Sequence, residues 1–222
     1  MLSILGIILT YKEGLLLGLW VTLKLCLVIW VAGLVIGTIL GYLSSKYHAE
    51  IGIPARIIAF ILSGIPVLVL LFWLHYPLQA MLQVVVDPFY TAAFALSIVN
   101  IFAVSEIVRS ALDNFPAQYN LAAKVCGLSK QETFVKIELP IIFRQIIPSL
   151  LSAQVTMLQM TIFASLISVE EIFRIGQRIN SLIYQPIEIY TAMTLFFLIV
   201  CLPMNGLAMW LKYRFTRNIS EQ

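Results

Sequence analysis

No charged side chain occurs between Leu25 and Ser45, nor in the stretches 57–86, 88–105, 145–169 and 189–211. Each run, extended slightly at its ends, approaches or exceeds the roughly 20 residues needed to cross about 30 Å of hydrocarbon as a helix. In lipid every backbone N–H and C=O must be satisfied inside the segment, so runs of this length form helices. The alternating strands of about ten residues that build membrane barrels are absent from the sequence. The chain is therefore expected to be an all-α membrane protein with five transmembrane helices, spanning about 14–45, 57–84, 88–109, 145–169 and 189–211, in a single domain over 1–222. Composition agrees: 61% of the residues are hydrophobic and 11% charged, against about 25% charged in soluble domains.

The second run is longer than one crossing and holds Pro66 and Pro77, which predicts a kink and a partly extramembrane end. Met1 to Leu9 is apolar but lacks a basic n-region and a small-residue cleavage site, so it reads as an interfacial lead-in and not as a cleaved signal. With the N-terminus outside, ten basic residues fall on the inner side: Lys46, Arg56, Arg109, Lys124, Lys130, Lys136, Arg144, Lys212, Arg214 and Arg217. Three, Lys12, Arg174 and Arg178, fall outside. This bias predicts a cytoplasmic C-terminus in a multi-pass membrane protein.

The inner stretch 110–144 is too polar to span and too patterned to be a linker. Pro116 precedes a short helical run at 118–125, and Gly127 suits a helix end with positive φ. Ser129-Lys130-Gln131-Glu132 reads as a capping box. Two short helices with a sharp turn between them are expected, displayed on the cytoplasmic face.

These residues resemble a known family. Ala122-Ala123, Gly127 and Ile137-Glu138-Leu139-Pro140 match the spacing of the EAA loop of bacterial ABC importer permeases, with Leu121 where Glu is usual. Glu106-Ile107-Val108-Arg109-Ser110-Ala111, Gly18 to Leu25, Ser63-Gly64-Ile65-Pro66 and Gln159-Met160-Thr161 resemble further segments of the polar amino-acid permeases of histidine, glutamine and glutamate type. The resemblance implies the permease subunit of an ABC uptake system in a bacterial inner membrane. It would move a polar amino acid or similar small solute by alternating access. Its implied partners are a cytoplasmic ATPase dimer, a second permease that is identical or a sister subunit, and an extracytoplasmic solute-binding protein. Leu121, Ala122, Ala123, Gly127, Ile137, Leu139 and Pro140 would couple to the ATPase. ATP and Mg would sit on that partner, with no cofactor on this chain, no enzyme activity of its own, no metal site and no nucleic acid. The sequence supports one part independently: it contains no G-x-x-x-x-G-K-[ST] segment. An ATPase-independent secondary carrier lacks charged mid-membrane sites here, and a non-catalytic scaffold or assembly protein stays open as an alternative.

Few polar groups lie inside the spans. Glu106 and Arg109, at i and i+3, read as an ion pair fixing a helix end or as a gate element. On a regular fourth helix Gln154, Thr161, Ser165 and Ser168 share one face, with Ser152, Thr156 and Gln159 opposite. Gln154, Gln159, Thr161 and Ser165 are the candidates for the substrate path, Gln159 nearest to it and Thr161 facing a neighbouring helix. Gly33, Gly37 and Gly41 form overlapping G-x-x-x-G steps for close helix packing. Lys24 is expected to snorkel toward the outer interface.

Overall fold

The computed structural model describes residues 4–216; positions 1–3 of the apolar lead-in, and Arg217 of the charge bias, lie outside the described residues. The elements are α1 (Ile4–Thr10), α2 (Lys12–Lys46), α3 (His48–Gly64), α4 (Val67–His75), α5 (Pro77–Leu82), α6 (Pro88–Asp113), α7 (Ala117–Val125), α8 (Lys130–Ile167), α9 (Ile172–Ile183) and α10 (Pro186–Thr216). Four of them, α2, α6, α8 and α10, are long and apolar enough to cross a membrane, and the bent pair α3 with α4–α5 makes five if counted as one span.

Helix α6 is the central post, packing against α2, α4 and α8, while α8 also packs along α10. The α2–α6 seam shows why glycines recur every fourth residue. A Cβ at Gly37 would lie 2.7 Å from the Ile101 carbonyl oxygen, and one at Gly41 would lie 2.6 Å from that of Ser105. A Cβ at Gly33 would overlap the Asn100 side chain. Only glycine lets the two backbones come this close. Around the seam Leu25, Ile29, Leu71, Leu96 and Ile167 are fully buried in one core.

Two expectations need correction, and a third is sharpened. The kink expected in the second run is a bend of 95° between α3 and α4–α5. Pro66 disfavours helical geometry at Ile65, which is extended at φ −100°, ψ 119°. The second helix expected in the stretch 110–144 is not short. It continues from Lys130 through Ile167, absorbing Pro140 directly after a π turn over Phe134–Glu138. There the backbone register is already changing, so the proline's missing N–H breaks no regular ladder. Finally, the fourth span is not a regular helix. Its last part, Thr161–Ile167, is a 3₁₀ helix ending at Ser168 with φ 72°. Thr161 Oγ1 and Ser165 Oγ each donate to the carbonyl three residues back, at 2.7 Å, the spacing of the tighter turn.

Between the last two spans lies α9, which the charge-free-run reading passes over. Its signal is in the sequence: Ile172, Ile175 and Ile179 fall on one face and are buried. Glu171 caps it, accepting from the N–H groups of Phe173 (2.9 Å) and Arg174 (2.7 Å). The helix docks on α2 where Thr22 Oγ1 accepts from Ile172 N–H at 3.1 Å and donates to the Gly18 carbonyl at 3.0 Å. A Cβ at Gly18 would lie 3.0 Å from Ile172 Cα. The Gly18-x-x-x-Thr22 spacing is therefore a seat for α9.

Candidate functional site

The turn between α7 and α8 is rigidly specified. Leu128 N–H bonds to the Ala123 carbonyl and Gly127 N–H to that of Lys124, both at 3.0 Å, the paired closure of a Schellman end. Gly127 sits at φ +75°, in the left-handed region that favours glycine. The capping box forms as expected: Ser129 Oγ accepts from Glu132 N–H, and the Glu132 carboxylate accepts from Ser129 N–H at 3.1 Å. Ala123 is buried, Ala122 is exposed, and Leu121 is 62% exposed on the outer face of α7. Ile137, Leu139 and Pro140 belong to a different place, the opening of α8. There Phe134 meets Tyr42 of α2 with ring centroids 6.4 Å apart.

At the C-terminal end of α6, Arg109 grips two carboxylates. Its Nε donates to Glu106 Oε2 at 3.0 Å and Nη2 to Glu106 Oε1; Nη1 reaches Asp113 Oδ2 at 2.6 Å. Ser45 Oγ of α2 donates to Asp113 Oδ1 at 2.6 Å, so the cluster also ties α2 to α6. Asp113 and Ser45 are members of it that the motif reading did not single out.

The four path candidates separate. Gln154 is buried and exchanges amide bonds with Asn100: Asn100 Nδ2 donates to Gln154 Oε1 at 2.9 Å, and Gln154 Nε2 donates to Asn100 Oδ1 at 3.3 Å. Asn100 Nδ2 also reaches the Ile29 carbonyl at 2.9 Å, and Trp30 Nε1 donates to the Gln154 carbonyl at 3.1 Å. This network joins α2, α6 and α8 in the interior. Thr161 and Ser165 are buried with their hydroxyls bonded locally. Gln159 alone of the four opens on a cavity, a groove of about 560 Å³ along α10 that also holds Thr194 and Asn205.

A second cavity, of about 610 Å³, lies inside the 95° break and was not foreseen. Arg56, Ser63 and Pro66 line it from the broken pair, Phe102 and Glu106 from α6, and Met160 from α8. Non-helical backbone within an apolar span is tolerated where it borders protein or a wet cavity. Arg56 Nε donates to the Gly52 carbonyl at 3.3 Å and Nη2 approaches His48 Nε2 at 3.0 Å. A guanidinium only donates, so that imidazole nitrogen accepts. On the other side of the fold Lys24 lies 5.2 Å from the Trp20 ring centroid, in a cavity shared with Asp87 and Glu170. Among the described residues no group of three His, Cys, Asp or Glu side chains could hold a metal.

The architecture is a bundle of apolar helices bent around a cavity, with a hydrogen-bonded turn leading into its longest helix. The chain belongs to the family of binding-protein-dependent transport system inner membrane components, whose pattern matches residues 33–218. It is thus the membrane permease component of an ABC uptake system, a class in which the ATPase is a separate chain. It is 28% identical over 187 residues to the glutamine transport system permease protein of Escherichia coli (strain K12), covering 82% of this chain and 85% of that protein. It is 27% identical over 206 residues to the L-cystine transport system permease protein of Bacillus subtilis (strain 168), covering 92% and 87%. The fold is similar to the crystal structure of an amino acid ABC transporter with histidines, with a TM-score of 0.83 at 22% identity over 93% of this chain and 96% of that one. The MetNI methionine ABC transporter, in an inward-facing conformation, gives 0.70 at 18% identity, covering 95% and 98%.

Proposed function

We propose that this permease carries a polar amino acid or a similar small solute across the inner membrane through the cavity at the helix break. The relatives named above that transport glutamine and L-cystine support the substrate class. Two copies, or this chain and a sister permease, enclose the path, because one bundle of this size leaves its cavities open at the side. The groove with Gln159 and Asn205 then meets the second permease, since amides at that depth seek partners. Gln154 serves by holding α8 to α6, and the Thr161 and Ser165 hydroxyls by shaping the tight turn within α8.

The turn around Leu121, Ala122, Ala123 and Gly127 seats in a partner ATPase, which binds ATP and Mg, while this chain has no nucleotide site. A solute-binding protein delivers ligand at the opposite face. The N-terminus lies outside and the C-terminus in the cytoplasm, as the charge bias indicates. The observation that carries this reading is mechanical continuity. Helix α8 runs unbroken for 38 residues from the turn, and Met160 on it borders the cavity. Displacement at the turn therefore moves the cavity wall.

The test is purification of the chain with its ATPase and measurement of hydrolysis with and without solute-loaded binding protein. Hydrolysis stimulated by the loaded binding protein is the expected result, with Gly127→Val inserting normally but leaving hydrolysis uncoupled from uptake. Coupled uptake by Gly127→Val at the wild-type rate refutes the docking assignment. Thiol labelling of Lys130→Cys and Gln177→Cys is expected from opposite sides, and labelling of both from one side refutes the orientation.

A further inference from the structure

The cavity at the helix break has a neighbour. A smaller cavity of about 360 Å³ lies between the C-terminal end of α6 and the first half of α8, lined by Glu106, Ser110, Asn114, Gln145 and Ser149. Glu106 lines both cavities. The polar lining is organised in two rows. Ser110 and Asn114 are four residues apart on α6, and Gln145 and Ser149 are four apart on α8, so each pair shares a helix face. These rows set hydroxyls and amides against each other across open space, where close helix packing alone favours small apolar groups. Asn114 Nδ2 is spent on Ser110, donating to its carbonyl at 2.8 Å. Gln145 and Ser149 remain exposed.

Two cations stand near the junction: Arg56, which lines the larger cavity with Glu106 but is turned to the Gly52 carbonyl and His48, and Arg109. Arg109 is shared between Glu106 and Asp113, so two carboxylates face one guanidinium. The Glu106 side chain is half exposed, against 14% for Arg109. Held by two donors of Arg109, the Glu106 carboxylate is fixed on the border that the two cavities share.

We propose that the two cavities are consecutive segments of one aqueous passage, with Glu106 at their junction, through which a small solute bearing an ammonium group leaves toward the cytoplasm. The proposal rests on the cavity and orientation assigned under the proposed function. Glu106 meets the ammonium, and the Ser110–Asn114 and Gln145–Ser149 rows offer donors and acceptors to the rest of the solute in place of water. At Glu106 itself, where two carboxylates share the one guanidinium of Arg109, a cationic group is favoured over an anionic one.

The experiment uses the permease with its ATPase in inside-out membrane vesicles, with exposed Cys126 replaced by Ser; Cys26 and Cys201 are buried. Ser149→Cys and, separately, Ser110→Cys are treated with two membrane-impermeant methanethiosulfonates, one carrying a trimethylammonium and the other a sulfonate. For both cysteines the ratio of the cationic to the anionic rate is expected to exceed the reagents' intrinsic ratio, measured on a free thiol, at least tenfold. Glu106→Gln is expected to reduce that ratio to about the reagents' intrinsic one. Two cysteines on facing helices keep the test decisive if one variant, or Glu106→Gln, fails to accumulate. Unreactive cysteines at both positions, or a ratio no greater than the intrinsic one with Glu106 intact, overturn the passage. ATPase association and stimulated hydrolysis in the same vesicles report on the importer reading separately. If those are present while the cysteines stay silent, the passage falls and the importer stands. Charge-selective labelling without an associated ATPase leaves the passage standing and removes the importer reading.

Discussion

Gly33→Ala tests the buried amide network most directly. The added Cβ would overlap Asn100 Nδ2 and Cγ and lie 3.1 Å from its Cβ. No tip rotation relieves contact with three successive atoms of one side chain. Either α2 and α6 move apart, or Asn100 leaves its site and loses its bonds to the Ile29 carbonyl and to Gln154 Oε1. Hydrogen bonds between membrane helices contribute about 0.6–2 kcal/mol each, and overpacking costs about 1–3 kcal/mol. The expected loss is therefore about 2–5 kcal/mol. Asn100→Ala alone strands the Gln154 amide, at about 1–3 kcal/mol, but it vacates the space that the new methyl needs. In that background Gly33→Ala is expected to cost under about 0.5 kcal/mol, giving a coupling energy of about 2 kcal/mol or more in a double-mutant cycle. Gly64→Ala is the control, since its Cβ would meet nothing within 4 Å. The assay is reversible unfolding in mixed micelles, read by exposure of buried Cys26 and Cys201 to a fluorogenic thiol reagent in a Cys126→Ser background. Equal costs for Gly33→Ala in both backgrounds would refute the reasoning, because the clash would then not be with Asn100.

Burial pushes the Glu171 carboxyl up to about 7, against the opposing pull of the Phe173 and Arg174 N–H groups. The folded chain therefore holds a proton that the unfolded chain releases near pH 4.3. Its contribution is complete below that pH and is lost as pH rises to about 7; Glu171→Gln should flatten this part of the stability profile, and parallel profiles would contradict it. Thr22→Val removes the acceptor for Ile172 N–H and is expected to loosen α9, raising hydrogen exchange at 172–176 while the α2–α6 seam stays protected. Gly127→Val strains a left-handed position by about 1–3 kcal/mol with nothing within 4 Å to clash, so its defect should be uncoupled hydrolysis and not misassembly. Gln159→Leu, at matched membrane levels, is expected to weaken association of the two permeases, as measured by crosslinking, and Thr161→Val to leave it unchanged; the opposite pattern reverses the assignment of the two faces.

The same residues explain what was legible in the sequence. Charge-free runs locate the spans because lipid penalises every unpaired polar group, a local and additive constraint. Gly127 and the Ser129–Glu132 box declare their turn because φ and capping depend on the nearest few residues, and the structure has both as expected. Gly33, Gly37 and Gly41 announce a close seam, though not that Asn100, Ile101 and Ser105 form its other side. Helix α9 was also readable, from Glu171 and the isoleucine spacing, but a search for uninterrupted apolar runs discards an amphipathic helix.

Polar residues in the spans were not readable in this way. Gln154 and Gln159 have the same side chain on the same helix, yet one is locked to Asn100 54 positions away and the other opens on a groove. Local periodicity assumed a regular helix, and the i−3 hydroxyl bonds of Thr161 and Ser165 changed the register. Pro66 signalled a kink, but the 95° turn, and the cavity that brings Ser63 of the broken pair to Glu106 of α6 and Met160 of α8, needed the other helices in place. The sequence by itself determined which segments are long and apolar enough to cross a membrane and how the turn at Gly127 closes, because those depend on composition and on neighbours along the chain. Which amides face each other and where space is left were decided only by the tertiary structure, because such contacts join residues that the chain keeps far apart.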